Sequence, residues 1–215
     1  MRYDTVIWDL DGTLLDTLAD LAASVNAALR AMGHPERSLD EVRQMVGNGV
    51  SNLMLRALPE AHKGDHAAAL ALFRAHYSVH FADATAPYPG IAAALDALRD
   101  RGAAMAVVSN KLDAVTKALC RRYFGERIGV VIGDRPGLPR KPAPEGVALA
   151  LAELGADPAR AVYVGDSEVD IATARNAGLP CLSVGWGFRP AQVLLDAGAA
   201  EIIPDVGTLV ERLLN

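Results

Sequence analysis

From residue 91 onward, short β-branched runs alternate with amphipathic helical segments, and this alternation constrains the fold of the 215-residue chain more than any other feature. Ile91–Arg101 reads as a helix stopped by Gly102, Ala104–Val108 as a strand, Leu112–Tyr123 as a helix and Ile128–Ile132 as a strand. Pro144–Leu154, Glu168–Ala177 and Ala191–Ala197 read as helices, with strands at Ala161–Val164 and Cys181–Val184. Glu201–Ile203 and Thr208–Leu214 finish the chain. Strands separated by helices imply a parallel sheet covered on both faces. The expected class is therefore α/β, a doubly wound parallel sheet, which Thr5–Trp8 joins as a first strand ending at Asp9.

Between that strand and the alternating region, helix follows helix. Leu18, Leu21, Ala22, Val25, Leu29 and Met32 share one face of a helix from Thr17 to Met32, with Thr17 as cap, Asp20 at the capping-box position and Gly33 as stop. Ser38 and Glu41 form a second capping box, leading a helix that ends near Gly47. Gly47-Asn48-Gly49 reads as a turn and Val50–Leu58 as a helix, while Leu70, Phe73, Tyr77 and Phe81 mark a longer one. A Pro- and Gly-rich loop from Thr85 to Gly90 closes the block. The expected organisation is a core of residues 1–15 and 86–215 with an all-helical cap, 16–85, inserted after the first strand.

Composition narrows the function. Half the residues, 51%, are hydrophobic, enough to bury a sizeable core. A net charge of −5 without any basic block argues against a nucleic-acid surface. Two distant cysteines, Cys120 and Cys181, fit a reducing cytoplasm and read as small core residues. No secretory h-region precedes Asp9, and no apolar run reaches the roughly 20 residues of a membrane span. The five histidines, at 34, 62, 66, 76 and 80, fall in the helical block and read as solvated helix faces.

The chemistry gathers where strands end. In open α/β sheets, ligands bind beyond the carboxyl ends of the strands, where the strand order reverses. Here the first strand runs into Asp9-Leu-Asp11-Gly12-Thr13 and the second into Ser109-Asn110-Lys111. The third is followed by a loop carrying Arg140-Lys141-Pro142-Ala-Pro144, and the fourth ends in Gly165-Asp166-Ser167-Glu168-Val169-Asp170. Brought to one edge, the carboxylates make a hard oxygen site suited to Mg²⁺. Ser109, Lys141 and loop amides supply donors for phosphate oxygens, so the combination reads as a phosphoryl-transfer site with an aspartate nucleophile.

With DLDGT at 9–13, SN at 109–110, KPAP at 141–144 and GDSEVD at 165–170, all in order, the chain resembles the haloacid dehalogenase superfamily, and within it the phosphoglycolate phosphatase branch. The resemblance implies a Rossmann-like core and a Mg²⁺-dependent phosphatase acting on a small phosphorylated metabolite. Asp9 is then the nucleophile, and Asp11 is the acid and base. Gly12, Thr13, Ser109, Asn110 and Lys141 serve the phosphate. Asp9, Asp166 and the carbonyl of Asp11 hold the metal, and Asp170 supports it or orients Lys141. In the cap, Gly47, Asn48, Gly49 and Arg56 look like the residues that contact the leaving group in such enzymes, with 2-phosphoglycolate the leading substrate. Other sugar phosphates, nucleotides, pyrophosphate and a β-phosphoglucomutase-like reaction remain alternatives, in a cytoplasmic monomer or homodimer. The stretches GDRPGLPRKPAP and GWGFRP, at 185–190 for the latter, are expected to shape the pocket mouth without touching a catalytic position.

Other chemistries fail on their motifs. Cys120 is followed by Glu126 rather than Arg, which removes a cysteine phosphatase. GxSxG, Walker A and GxGxxG patterns are absent. A dehalogenase needs no second aspartate, and a non-catalytic phosphate-binding module would be expected to lose Asp9 or Asp11. A receiver domain carries no helical insertion after its first strand.

Overall fold

The computed structural model describes residues 2–215. Its elements in chain order are β1 (Thr5–Trp8), β2 (Leu15–Asp16), α1 (Leu18–Ala31), α2 (Leu39–Met45), α3 (Gly49–Ala57), α4 (His66–His80), β3 (Ala86–Pro87) and α5 (Ile91–Asp100). There follow β4 (Ala104–Leu112), α6 (Asp113–Phe124), β5 (Val130–Asp134), α7 (Glu145–Leu154) and β6 (Ala161–Gly165). The chain ends with α8 (Glu168–Asn176), β7 (Cys181–Val184), α9 (Ala191–Asp196), β8 (Ile202–Ile203) and α10 (Val206–Leu214). These form two compact units, Met1–Leu15 with Pro87–Asn215, and Asp16–Ala86. β2 and β3 pair separately as a two-stranded sheet.

The first unit is built on a six-stranded sheet of order β5-β4-β1-β6-β7-β8, with every pairing parallel. β1 lies between β4 and β6, Thr5 standing opposite Ala104 on one side and Ala161 on the other. Later strands add outward from both sides of β1, so the winding reverses there and the carboxyl ends of β1, β4 and β6 share one edge. Ile7, Val108, Ile132 and Tyr163 are buried in one cluster with Val147, Ala150 and Leu151 of α7 and Ala174 of α8. Alternation along the strands sends Val6, Trp8, Val107, Val162 and Val164 to the opposite face, where they are equally buried. Each such side chain contributes about 1.5–3 kcal/mol through the water it sheds.

β4 runs four residues beyond the strand expected from sequence, to Leu112, with a register shift between Val108 and Leu112. Pairing of Leu112 with Asp134 of β5 outweighs the poor strand preference of Ser109 and Asn110. Those polar residues are thereby held on the sheet rather than on a helix start.

In the second unit, the apolar face of α1 (Leu18, Leu21, Val25, Leu29) is buried, as are Phe73 and Tyr77 of the α4 helix it packs against. The Ser38–Glu41 capping box forms with both of its hydrogen bonds. The box expected at Thr17 and Asp20 does not: Thr17 makes no side-chain cap. Asp20 instead accepts from the Ala84 amide (2.9 Å), the Thr85 amide (2.8 Å) and Thr85 Oγ1 (2.6 Å). Three donors converging on one carboxylate outcompete a single local amide. Not all the histidines are solvated either. His66 Nε2 donates to the Ser51 carbonyl (2.8 Å), and His76 Nδ1 is hydrogen-bonded to Ser24 Oγ (2.9 Å). Among the described residues, no helix is long and apolar enough to cross a membrane.

Candidate active site

β1 carries Asp9 to the shared edge, where its amide donates to the Val164 carbonyl of β6 (2.9 Å) and its side chain is buried. Lys141 reaches the same point from the loop between β5 and α7. Its Nζ donates to Asp9 Oδ1 (2.7 Å), Asp170 Oδ1 (2.8 Å) and the Tyr163 hydroxyl oxygen (3.0 Å). The backbone of Lys141 is clamped in turn by Asn110, whose Nδ2 donates to the Lys141 carbonyl (3.1 Å) and whose Oδ1 accepts from its amide (2.9 Å). Asn110 was expected to serve a phosphate. With both ends of its amide on Lys141, its side chain holds the lysine loop.

Asp166, at the end of β6, is almost fully buried. Thr13 Oγ1 donates to its Oδ1 (3.1 Å) and the Phe188 amide to its Oδ2 (2.7 Å). The Thr13 hydroxyl, expected to serve a phosphate, is buried and donates here to Asp166. Gly12, at φ +89°, packs against the same aspartate: a Cβ there would stand 2.3 Å from Asp166 Oδ2. The GWGFRP stretch, expected to stay clear of catalytic positions, in fact cradles this aspartate, since a Cβ on Gly187 would lie 2.2 Å from Asp166 Cβ.

Asp170, in the first turn of α8, is wholly buried, and both its oxygens are engaged. Oδ1 accepts from Lys141 Nζ and from the Tyr163 hydroxyl (3.1 Å); Oδ2 accepts from the Ser167 amide (3.1 Å) and Ser167 Oγ (2.6 Å). Orienting Lys141 while capping α8 is therefore the work its geometry supports, rather than direct metal ligation. Sequence reasoning passed over Tyr163 and Ser167 because each reads as an ordinary strand or cap residue. Asp11 turns its carboxylate to Lys111, whose Nζ donates to Oδ1 at 2.7 Å. Ser109 is buried nearby and its Oγ accepts from the Lys111 amide (3.2 Å).

The electrostatics are unbalanced. Ligand oxygens of Asp9, Asp166 and Asp170 lie within 4.8 Å of one another. Burial, then the charge of Asp170, raises Asp9 well above the usual carboxylate range against the pull of Lys141. Burial and Asp170 push Asp166 to about 7, opposed by the Phe188 amide and the Thr13 hydroxyl. Burial alone would lower Lys141, but Asp170 and Asp9 outweigh it and hold the ammonium well above its ordinary value. With all three carboxylates ionised beside one ammonium, two negative charges would stand uncompensated. Buried hard oxygens carrying that excess fit a divalent cation such as Mg²⁺, with Asp9 and Asp166 as the carboxylates to hold it.

Gly47, Asn48, Gly49 and Arg56 form a group of their own in the helical unit. They occupy the turn between α2 and α3 and the last turn of α3, where Arg56 is exposed and its Nη1 donates to the Met45 carbonyl (2.9 Å).

Residues 6–184 match the family described as haloacid dehalogenase-like hydrolase. Over 212 residues, covering 95% of this chain and 78% of the other, the sequence is 32% identical to phosphoglycolate phosphatase 1 of Pseudomonas aeruginosa. A crystal structure from Lactobacillus delbrueckii subsp. bulgaricus, described as that of a putative phosphoglycolate phosphatase, superposes with a TM-score of 0.94 at 32% identity, covering 100% of both chains. CbbY from Rhodobacter sphaeroides, solved in complex with phosphate, gives a TM-score of 0.75 at 26% identity over 96% of each chain.

Proposed function

The chain belongs to the haloacid dehalogenase-like hydrolase family, and from that membership we propose that it is a Mg²⁺-dependent phosphomonoesterase working through an aspartyl phosphate at Asp9, with 2-phosphoglycolate as its substrate. The observation that carries the reading is the placement of Asp9. It stands at the end of the central strand, hydrogen-bonded to Lys141 and beside a second buried carboxylate, Asp166. A carboxylate with no chemical task would not be buried among its own kind, because the repulsion costs stability.

In the first half of the reaction, a carboxylate oxygen of Asp9 attacks phosphorus, the bond from phosphorus to the ester oxygen breaks, and Asp11 gives its proton to the departing alkoxide. In the second half, Asp11 takes a proton from water as the water oxygen attacks phosphorus. The Asp9–phosphorus bond breaks and inorganic phosphate leaves. Lys141 steadies Asp9 and offsets part of the charge that gathers on the phosphoryl oxygens, while Ser109 and nearby loop amides donate to those oxygens. Mg²⁺ held by Asp9 and Asp166, with the Asp11 carbonyl, supplies charge neutralisation and orients the phosphate. Arg56 and the amides of 47–49 offer the donors that a small anionic leaving group requires.

The support for phosphoglycolate is the resemblance to the Pseudomonas aeruginosa enzyme over nearly the whole chain. A panel of phosphate esters, assayed with and without Mg²⁺, tests both levels. The expected result is Mg²⁺-dependent phosphate release, fastest from 2-phosphoglycolate and weakened mainly in KM by Arg56→Ala. Release from no ester sinks the phosphatase; faster turnover of larger sugar phosphates replaces only the substrate.

A further inference from the structure

Each of the two aspartates of the DLDGT stretch has its own buried lysine. Lys141 takes Asp9, and Lys111 takes Asp11 at an equal 2.7 Å. The KPAP motif had marked Lys141 as a site residue; Lys111 was given no role. The Lys111 side chain is 1% exposed and that of Asp11 16%. An ammonium so deep in the protein is costly to bury unless paired, so its presence next to Asp11 calls for a reason.

The local structure fixes Lys111 from both sides. Its amide donates to Ser109 Oγ (3.2 Å), and its carbonyl accepts from Thr116 Oγ1 (3.2 Å) at the start of α6. The register shift in β4 falls within this stretch, and successive residues serve different partners: Asn110 clamps the Lys141 backbone, and Lys111 reaches Asp11. Asp11 itself sits in the turn after β1, bridged through its backbone to Leu15, and the contact with Lys111 selects among the rotamers that backbone allows. A group that gives and then takes a proton must be held to within a few tenths of an ångström of its target, and general acid–base help is lost quickly when it is not.

We propose that Lys111 is a positioning residue that holds the Asp11 carboxylate for both proton transfers and acts on the reaction only through it. The proposal rests on the phosphatase reading above. Its consequence is selective. An alkyl phosphate needs a proton on its departing oxygen, whereas p-nitrophenyl phosphate releases a stable phenolate without one. Loss of Lys111 must therefore harm the first far more than the second.

The test compares the full-length, Mg²⁺-loaded protein with Lys111→Met and Lys111→Gln, using 2-phosphoglycolate, glycerol phosphate and p-nitrophenyl phosphate. The expected outcome is a fall in kcat/KM of about thirtyfold or more on the alkyl esters and less than about threefold on the aryl ester, part of the range that general acid catalysis supplies. The aryl ester should also show a burst of nitrophenolate, because activation of water by Asp11 has become slow. On the aryl ester, adding Lys111→Met to Asp11→Asn should cost nothing more. Equal losses on both ester types, or a further loss on top of Asp11→Asn, overturn the proposal and make Lys111 structural. The Gln variant carries the comparison if the Met variant does not fold. An unsubstituted protein inactive on every ester overturns the phosphatase reading, and this one with it.

Discussion

Asp166 shows how much a single carboxylate depends on residues that have no side chain to offer. Gly12 and Gly187 pack against it so closely that a methyl group on either would overlap it. The atom met by a Cβ on Gly187 is the Cβ of Asp166, which cannot swing aside as a side-chain tip can. Gly187→Ala should therefore displace Asp166 and weaken Mg²⁺ about ten- to a hundredfold, the usual cost of losing support for a ligand. Titrating activity against Mg²⁺ measures this; an unchanged activation midpoint contradicts it. This support was invisible in the sequence because Gly187 lies 21 residues past Asp166 and carries no side chain of its own. Asp9 and Asp166 were legible because each is a charged residue at the end of an apolar run, where burial needs a reason, and Lys141 because it stands in a Pro-flanked loop past the third strand. Spacing alone showed that Asn110 and Thr13 stand near the site, but not that Asn110 holds the Lys141 backbone or that Thr13 donates to Asp166.

The strands and helices were legible wherever the hydrophobic period was clean, as in α1, β6 and β7. Errors came where tertiary contacts overrode local preference. β4 continued through Ser109 and Asn110 because β5 offered it partners, and Asp20 left its own helix start for Thr85. The Asp20 carboxylate gathers both ends of the helical unit, joining the first turn of α1 to residues 84 and 85. Asp20→Ala would leave the buried Thr85 amide and hydroxyl without this acceptor. The expected cost is about 2–4 kcal/mol, read as a lower midpoint in denaturant melts. A loss under about 0.5 kcal/mol would show that water replaces the carboxylate at little cost.

For the molecule as a whole, the parallel sheet gathers three carboxylates at one edge and supplies one ammonium to face them. The imbalance links folding, pH and metal. Asp166 titrates near 7 in the folded chain, against 3.8 for an unperturbed aspartate, so between those values the folded state holds more protons than the unfolded one. Stability of the metal-free protein should then fall as pH rises through this window, and Asp9, also raised, acts in the same direction. Lys141, raised from 10.5, is protonated in both states throughout the window and adds no slope there. Without metal, the protein should melt at a lower temperature at about pH 8 than at about pH 5.5, and Mg²⁺ should raise the midpoint far more at the higher pH. A Mg²⁺ shift equal at both pH values would contradict the linkage.

The covalent step is the most exposed part of the mechanism, and it can be observed. The Mg²⁺-loaded protein is mixed with excess phosphate ester and quenched in acid during turnover, and its peptides are analysed by mass. One phosphoryl group should appear on Asp9, and Asp9→Asn should abolish both the adduct and phosphate release while leaving the fold intact. Mg²⁺-dependent turnover without a phosphoryl group on Asp9, or persisting in Asp9→Asn, would contradict nucleophilic attack by this residue.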